Sequence, residues 1–273
     1  MMRYKMDNFR ILFLLFTIYS FIGWLTESIF CSVPVGKFIN RGFLNGPFCP
    51  IYGVGGIAVV SLLSPFEHNV IALYVMGVLI TTLIEYITGF ALELVFHTKY
   101  WDYSDQKFNI QGRICLQNSL LFGVMCVVGM LYVQPLLMRL LLSIPTPVLP
   151  FISGGFMVYF ICDTVITVHA ILQLNGKLSE LQQILDEIKE RASAATTGKF
   201  ENLQAAIGNL IDEDTKAYLY SLFEKKDKIE TENKLLQRRI IKAFPTMKSI
   251  RNNESLQRIK EAIQNKAKGI KRG

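Results

Sequence analysis

Charge is in short supply in this chain: only 19% of its 273 residues are Asp, Glu, Lys or Arg, where a water-soluble chain carries about 25%. The shortage accompanies 51% hydrophobic residues and a mean hydropathy of +0.32. Together these exclude a soluble enzyme built on one core, and equally a disordered chain. Histidine is scarce, at three, and the five cysteines show neither CxxC nor Cys/His spacing. A disulfide scaffold is thereby excluded, and no metal or cofactor site is read. A GxxxxGKS/T segment is missing throughout, so this chain does not bind ATP by a P-loop. The charge that is present falls unevenly: residues 1–172 hold 9 Lys+Arg against 8 Asp+Glu, and residues 173–273 hold 20 against 14. The chain divides near Leu172 into a nearly neutral apolar region and a tail carrying most of the +7 net charge.

Long apolar runs fill the first region. Residues 9–31, 69–96, 118–142 and 150–172 each read as a span, since at about 1.5 Å per residue each covers the ~30 Å hydrocarbon layer. Arg3, Lys5 and Arg10 lead into the first run as they lead into a signal peptide. That run is too long for one, and no small-x-small site followed by a soluble domain comes after it. Pro135 kinks or ends the third run. Residues 50–64, PIYGVGGIAVVSLLS, are apolar but short and hold Gly53, Gly55 and Gly56. They read as a short span or a re-entrant piece, so the total is five or four.

With five spans and the N-terminus outside, Lys37, Arg41, Lys99, Lys107, Arg113 and the basic tail share the cytoplasmic side; the reverse orientation leaves only Arg3, Lys5, Arg10 and Arg139 there. The expected fold class is all-α: a multi-pass transmembrane helical bundle of about five spans in the cell membrane over residues 1–172, then a cytoplasmic α-helical, coiled-coil tail over residues 173–273. Cys31, Cys126 and Cys162 fall in spans as small apolar residues. Cys49 and Cys115 fall in loops, reduced if cytoplasmic and able to pair if external.

Within the spans lie ionisable residues that each cost about 2.5 to 3.5 kcal/mol at a helix centre: Glu27, Glu85, Glu93 and Asp163. Thr81, Glu85, Gly89 and Glu93 recur every four residues, with Thr88 beside them, and so form one polar stripe on an apolar helix. Tyr19, Gly23 and Glu27 repeat the spacing, and Asp163, Thr164 and Thr167 resemble it. Two readings stay open. In one, the acids pair with arginines and act as glue between helices. In the other, they line a polar cavity for a substrate head group, an ion or a proton, with Glu85 the leading candidate because it is least able to snorkel out.

The connectors are equally unusual. Residues 37–56, KFINRGFLNGPFCPIYGVGG, combine glycines and two prolines into a tight fold. Arg41 here and Arg113 in the 97–118 connector are counter-ions for Glu27, Glu85 and Glu93, or grip a phosphate or carboxylate. Asn45 and Asn118 complete the candidate set at the cavity mouth. Trp101 and Tyr103 suit interfacial anchoring. His97 near Asp102 and Asp105 has the makings of a general-base pair, but no nucleophile accompanies it and no catalytic residue is assigned.

Two stretches in these connectors, NRGFLNGPFCPIYGVGG at 40–56 and WDYSDQKFNIQGRIC at 101–115, closely resemble the bacterial membrane family of putative ABC-transporter type IV, CmpB-like proteins. The resemblance extends over roughly residues 9–172. It implies a permease partnered by a separate ATPase subunit, and it brings no substrate or site assignment with it. A permease this small implies pairing with another copy or another membrane subunit.

In the tail, Leu174, Leu178, Leu181, Leu185, Ile188 and Ala192 alternate spacings of four and three, an a/d seam continuing from the last span. A short amphipathic helix follows (Phe200, Leu203, Ile207, Leu210), then a second seam at Leu219, Leu222, Lys226, Ile229, Asn233, Leu236, Ile240 and Ala243, ended by Pro245. The seams fold back as a hairpin or pair between copies. Leu256, Ile259, Ile263 and Ile270 make a last apolar face among lysines and arginines, suited to an anionic leaflet or simply solvated. No aromatic interleaving accompanies this charge, so no nucleic-acid partner is expected. The functional expectation is a permease lacking its own ATPase, with the lipid bilayer and an ATPase as partners. An enzyme acting on a lipid or lipid-linked substrate is the alternative, and a membrane-anchored coiled-coil scaffold or sensor the third.

Overall fold

The computed structural model describes residues 9–33, 36–194, 213–232 and 234–269. Their helices are α1 (Phe9–Ser32), α2 (Pro50–Leu63), α3 (Val70–Phe96), α4 (Leu116–Val128), α5 (Gln134–Ser143), α6 (Leu149–Ala194), α7 (Glu213–Thr231), α8 (Leu235–Ala243) and α9 (Asn253–Gly269). The chain separates into two compact units. One lies within Met1–His169 together with Lys242–Met247, the other within Ala170–Ile241 together with Lys248–Gly273.

Four helical runs in the described residues are long and apolar enough to cross a membrane: Phe9–Ser32, Val70–Phe96, Leu116–Ser143 and Leu149–Glu190. α3 shows why such a helix suits lipid. Ile71, Val75, Leu79, Leu83, Ile87, Phe90 and Leu94 form one exposed apolar stripe, roughly 35 Å long at the helical rise. Such a stripe is unfavourable in water and unremarkable in hydrocarbon. Asn69 caps the helix, its side chain accepting from the Ala72 N–H at 3.0 Å.

The 50–64 segment is a regular helix. Pro50 occupies its first turn, where a missing N–H costs nothing. α2 reaches only ~21 Å at 1.5 Å per residue, and even with the 3₁₀ turn Ser64–Phe66 it stays shorter than the other four runs. Pro135 does not end the third run. A π-helical turn at Gly129–Val133 precedes it, with the Gln134 N–H reaching back to the Gly129 oxygen. Widening the helix by one residue relieves the clash a proline ring imposes on the preceding turn.

Among the described residues, the core of this unit includes three apolar clusters. Ile11, Leu14 and Leu15 of α1 meet Leu137, Met138 and Leu141 of α5. Val59, Val60 and Leu63 of α2 meet Leu73, Cys126 and Met130. Leu44 and Phe48 of the 36–49 connector meet Phe160 of α6. α1 and α2 approach closely at Gly53, where an added Cβ would lie 2.3 Å from the Ser20 hydroxyl oxygen and 2.7 Å from the Phe16 carbonyl oxygen. A backbone carbonyl cannot rotate away, so Gly53→Ala is expected to lower stability by about 1–3 kcal/mol. Thermal melting of the detergent-solubilised chain measures this, and an unchanged melting temperature would mean that the helices separate freely.

In the second unit, Leu174, Leu178, Leu181, Leu185 and Ile188 are all buried. The end of the seam packs on α7, where Ile184 and Ile188 meet Leu219 and Leu222. The second seam is not one helix: α7 ends at Thr231 and α8 starts at Leu235, restarted by a Gln237 side chain that accepts from the Lys234 N–H. Of the polar core positions, Lys226 packs over Phe223 and pairs with Asp227, and Asn233 lies outside the described residues. So do the Phe200–Leu210 helix and Ile270. Leu256 and Ile259 of α9 are fully buried, so protein covers that part of the face, while Ile263 is half-buried. Lys189 and Arg258 both pair with Glu254.

Candidate functional site

The connector between α1 and α2 is laid along α1 by hydrogen bonds that its sequence does not advertise. Ser28 and Ser32 hydroxyls accept from the Arg41 and Ile39 N–H groups at 3.2 and 2.8 Å. The Trp24 indole donates to Asn40 at 2.6 Å, and the Cys49 N–H donates to the Ser20 oxygen at 2.9 Å. Its other anchor is Asp163 of α6, whose carboxylate accepts from the Asn45 N–H at 2.9 Å, the Gly46 N–H at 2.8 Å, and the Thr167 and Tyr159 hydroxyls at 3.3 and 3.4 Å. Asn45 also donates to Thr167 at 2.9 Å. Thus Asn45 and Asp163 hold the connector; neither lies on the wall of the cavity described next.

The connector between α3 and α4 folds back in the same manner. His97 ends α3 in the left-handed conformation, and a two-residue antiparallel ladder pairs Asn109 with Cys115 and Ile110 with Ile114. Gly112 supplies a positive φ of 70° in its turn. The Trp101 indole donates to the Arg113 oxygen at 2.8 Å. This brings Trp101 and Tyr103, expected at the interface, onto the cavity wall.

That cavity has a volume of about 680 Å³ and lies between α1, α2, α3, α4 and the two connectors. Of the candidate residues, Glu27, Arg41 and Glu85 line it; Asn45, Glu93, Arg113 and Asn118 do not. The polar stripe of α3 is therefore split. Thr81, Glu85 and Thr88 face the cavity, Gly89 lies under Trp101, and Glu93 belongs to a separate cluster. There the Arg113 guanidinium reaches Glu93 Oε2 through Nε at 2.7 Å and Nη2 at 2.6 Å. It also stacks on the Tyr86 and Phe90 rings and contacts Gln111.

Within the cavity the Arg41 guanidinium lies 3.5 Å from Glu27, donates to the Ala243 oxygen at 2.6 Å and stacks on Phe244 at 5.1 Å. Phe244 packs edge-on against Tyr100 and joins the wall. Glu27 also accepts from the Tyr52 hydroxyl at 2.9 Å. Glu85 is held by much less. Only 6% of it is exposed, its Oε1 accepts one long bond from Tyr103 at 3.3 Å, and its Oε2 finds no partner in the described residues.

Burial, with the Glu85 and Glu27 carboxylates adding to it, holds the Tyr103 phenol well above its usual range. Its hydroxyl therefore stays a donor at any physiological pH. Asn118 lies close enough to Tyr103 to act on its phenol and does not line the cavity. Tyr19 closes another wall by donating to the buried Gln134 at 2.6 Å, beside the π-turn.

Sequence reasoning missed Tyr52 and Tyr103 as partners of the acids, and Tyr19 with Gln134. The only available signal was the Tyr19–Gly23–Glu27 spacing. His97 is exposed and stands off the cavity wall. Cys49 and Cys115 are both buried, and neither is in a disulfide. In the described residues no three His, Cys, Asp or Glu converge as metal ligands.

Comparison with known proteins places this geometry in a family. The family described as Putative ABC-transporter type IV matches residues 14–168, more than half of the chain, and includes both connectors. No curated protein and no solved structure matches.

Proposed function

Because this chain belongs to the Putative ABC-transporter type IV family, we propose that it is a multi-pass permease of the cell membrane whose substrate enters the cavity beside Glu85, driven by a separate ATPase subunit. Glu85 carries this reading. A carboxylate in a span costs about 2.5 to 3.5 kcal/mol, and Glu27, Glu93 and Asp163 offset that cost with arginines or several hydrogen bonds. Glu85 keeps one oxygen unpartnered on the wall of a cavity of ligand size. An unsatisfied polar group at this depth is what a ligand-binding group looks like before its ligand arrives.

The ATPase is a different polypeptide, since this chain has no P-loop segment. With α2 taken as a short fifth crossing, the proposed orientation is N-terminus outside and tail cytoplasmic, which gathers Lys37, Arg41, Lys99, Lys107 and Arg113 on the tail's side. A bundle this small works as a pair or with another membrane subunit. The competing reading, an enzyme acting on lipids, gains nothing from His97, which stands off the cavity wall.

Glu85→Gln tests the proposal, because it removes the charge while keeping the shape. Cells carrying that allele are expected to behave like a deletion strain, and the purified variant to lose a small molecule or lipid that native mass spectrometry finds on the unaltered chain. Full complementation with an unchanged set of bound species would sink the substrate-cavity reading. An ATPase held stoichiometrically by the tagged chain is the second expected result, and its repeated absence would remove the ABC mechanism while leaving the cavity.

A further inference from the structure

We propose that the cavity beside Glu85 takes a monovalent organic cation with an apolar body, a lipophilic amine or onium ion whose charge rests against the Glu85 carboxylate. The inference rests on the reading of the cavity as a substrate chamber and adds the ligand's chemistry. Its first support is charge. The ionisable Asp, Glu, Lys and Arg residues on the wall are Glu27, Arg41 and Glu85. Arg41 lies against Glu27 at 3.5 Å, so Glu85 is the acid on the wall without a counter-charge, a place that a cation fills.

An anionic ligand would need Arg41. That guanidinium donates through Nη1 to the Ala243 oxygen and lies over Phe244, and its Nε, which makes no hydrogen bond in the described residues, faces Glu27 at 3.5 Å, so an anion would meet the Glu27 carboxylate there. A divalent metal would need several hard ligands, and no three His, Cys, Asp or Glu converge in the described residues. A small inorganic cation is similarly ill served by a wall that is mostly apolar side chains.

The second support is the wall itself. Tyr19, Tyr52, Trp101, Tyr103 and Phe122 line the cavity. Aromatic faces attract organic cations through their quadrupoles, by about 2 kcal/mol or more where water is excluded. A volume of about 680 Å³ accepts a ligand of this kind. The terminal carboxylate torsion of Glu is broad and roughly two-fold. Rotation about that bond turns a carboxylate oxygen toward a ligand, and what it gives up is the single long bond from Tyr103 at 3.3 Å.

Tetraphenylphosphonium and tetraphenylborate have one shape and opposite charge, and titration calorimetry of the full chain in detergent, corrected for empty micelles, separates them. The expected result is saturable binding of the cation, none of the anion, and cation binding about tenfold weaker in Glu85→Gln. Glu67→Gln, on the exposed α2–α3 connector, is expected to leave it unchanged. Equal binding of both ions by the unaltered chain would overturn the cation class and leave the cavity reading standing. This comparison holds even if Glu85→Gln misfolds. An undiminished cation affinity in a folded Glu85→Gln chain would overturn the cation class too, and failure of both ions to bind saturably would overturn the cavity reading with it.

Discussion

Arg113→Ala is expected to destabilise the membrane region by about 3–5 kcal/mol, because it leaves the Glu93 carboxylate buried without its counter-charge. The two side chains are only 13% and 15% exposed, and Arg113 is held by Tyr86, Phe90 and Gln111 as well. Lost packing therefore adds to the lost charge. The paired replacement Arg113→Met with Glu93→Leu is expected to recover most of the loss, since removing both charges abolishes the desolvation cost that the ion pair had to overcome. Melting temperatures of the unaltered chain, Arg113→Met, Glu93→Leu and the double variant in one detergent form the required cycle. If the double variant melts as low as Arg113→Ala, the pair is not what holds the 97–115 connector. The cluster would then have to act through its aromatic contacts.

The second large effect is expected at Asp163. Asp163→Ala strands the Asn45 and Gly46 N–H groups, each costing about 1–3 kcal/mol when left unsatisfied, and frees the Tyr159 and Thr167 hydroxyls. A total loss of about 3 kcal/mol or more is expected. Asp163→Asn should fall between the two, because its oxygen still accepts one N–H while its amide nitrogen faces the other as a second donor. Hydrogen exchange reads this directly: the Asn45 and Gly46 amides should lose protection in Asp163→Ala while the amides of α3 keep theirs. Uniform loss across the region would assign Asp163 to the stability of the whole bundle rather than to the connector. The position matters to the site because this connector carries Arg41, and with it the partner of Glu27.

Much of this was legible in the sequence, for reasons that differ from element to element. The limits of α1 and α3 follow hydropathy, which is a property of each run by itself, and Asn69 marks the start of α3 as a capping residue. The buried run of Leu174 to Ile188 follows its spacing. Pro135 does not end its run, because a π-turn absorbs what a proline otherwise breaks, and nothing in GMLYV announces that turn. The second seam is divided between two helices, and Gln237 caps the start of the second. The 253–269 helix has the face expected of a membrane-surface segment, yet Leu256 and Ile259 are spent within the tail.

What the sequence determined by itself is the class of molecule. Four runs long and apolar enough to cross a membrane, a division near Leu172, acids placed within spans and no P-loop all follow from composition and local pattern. What only the tertiary structure decided is which charges meet. The acids Glu27, Glu85 and Glu93 and the arginines Arg41 and Arg113 form one candidate set in the sequence, and spacing offers no way to divide it. Folding the connectors back onto the helices gives Arg41 to Glu27 and Arg113 to Glu93, and it leaves Glu85 with a single long hydrogen bond. The physical reason is range. Hydropathy and periodicity act over a few neighbouring residues, whereas a buried ion pair is settled by distances of a few ångströms between segments far apart along the chain.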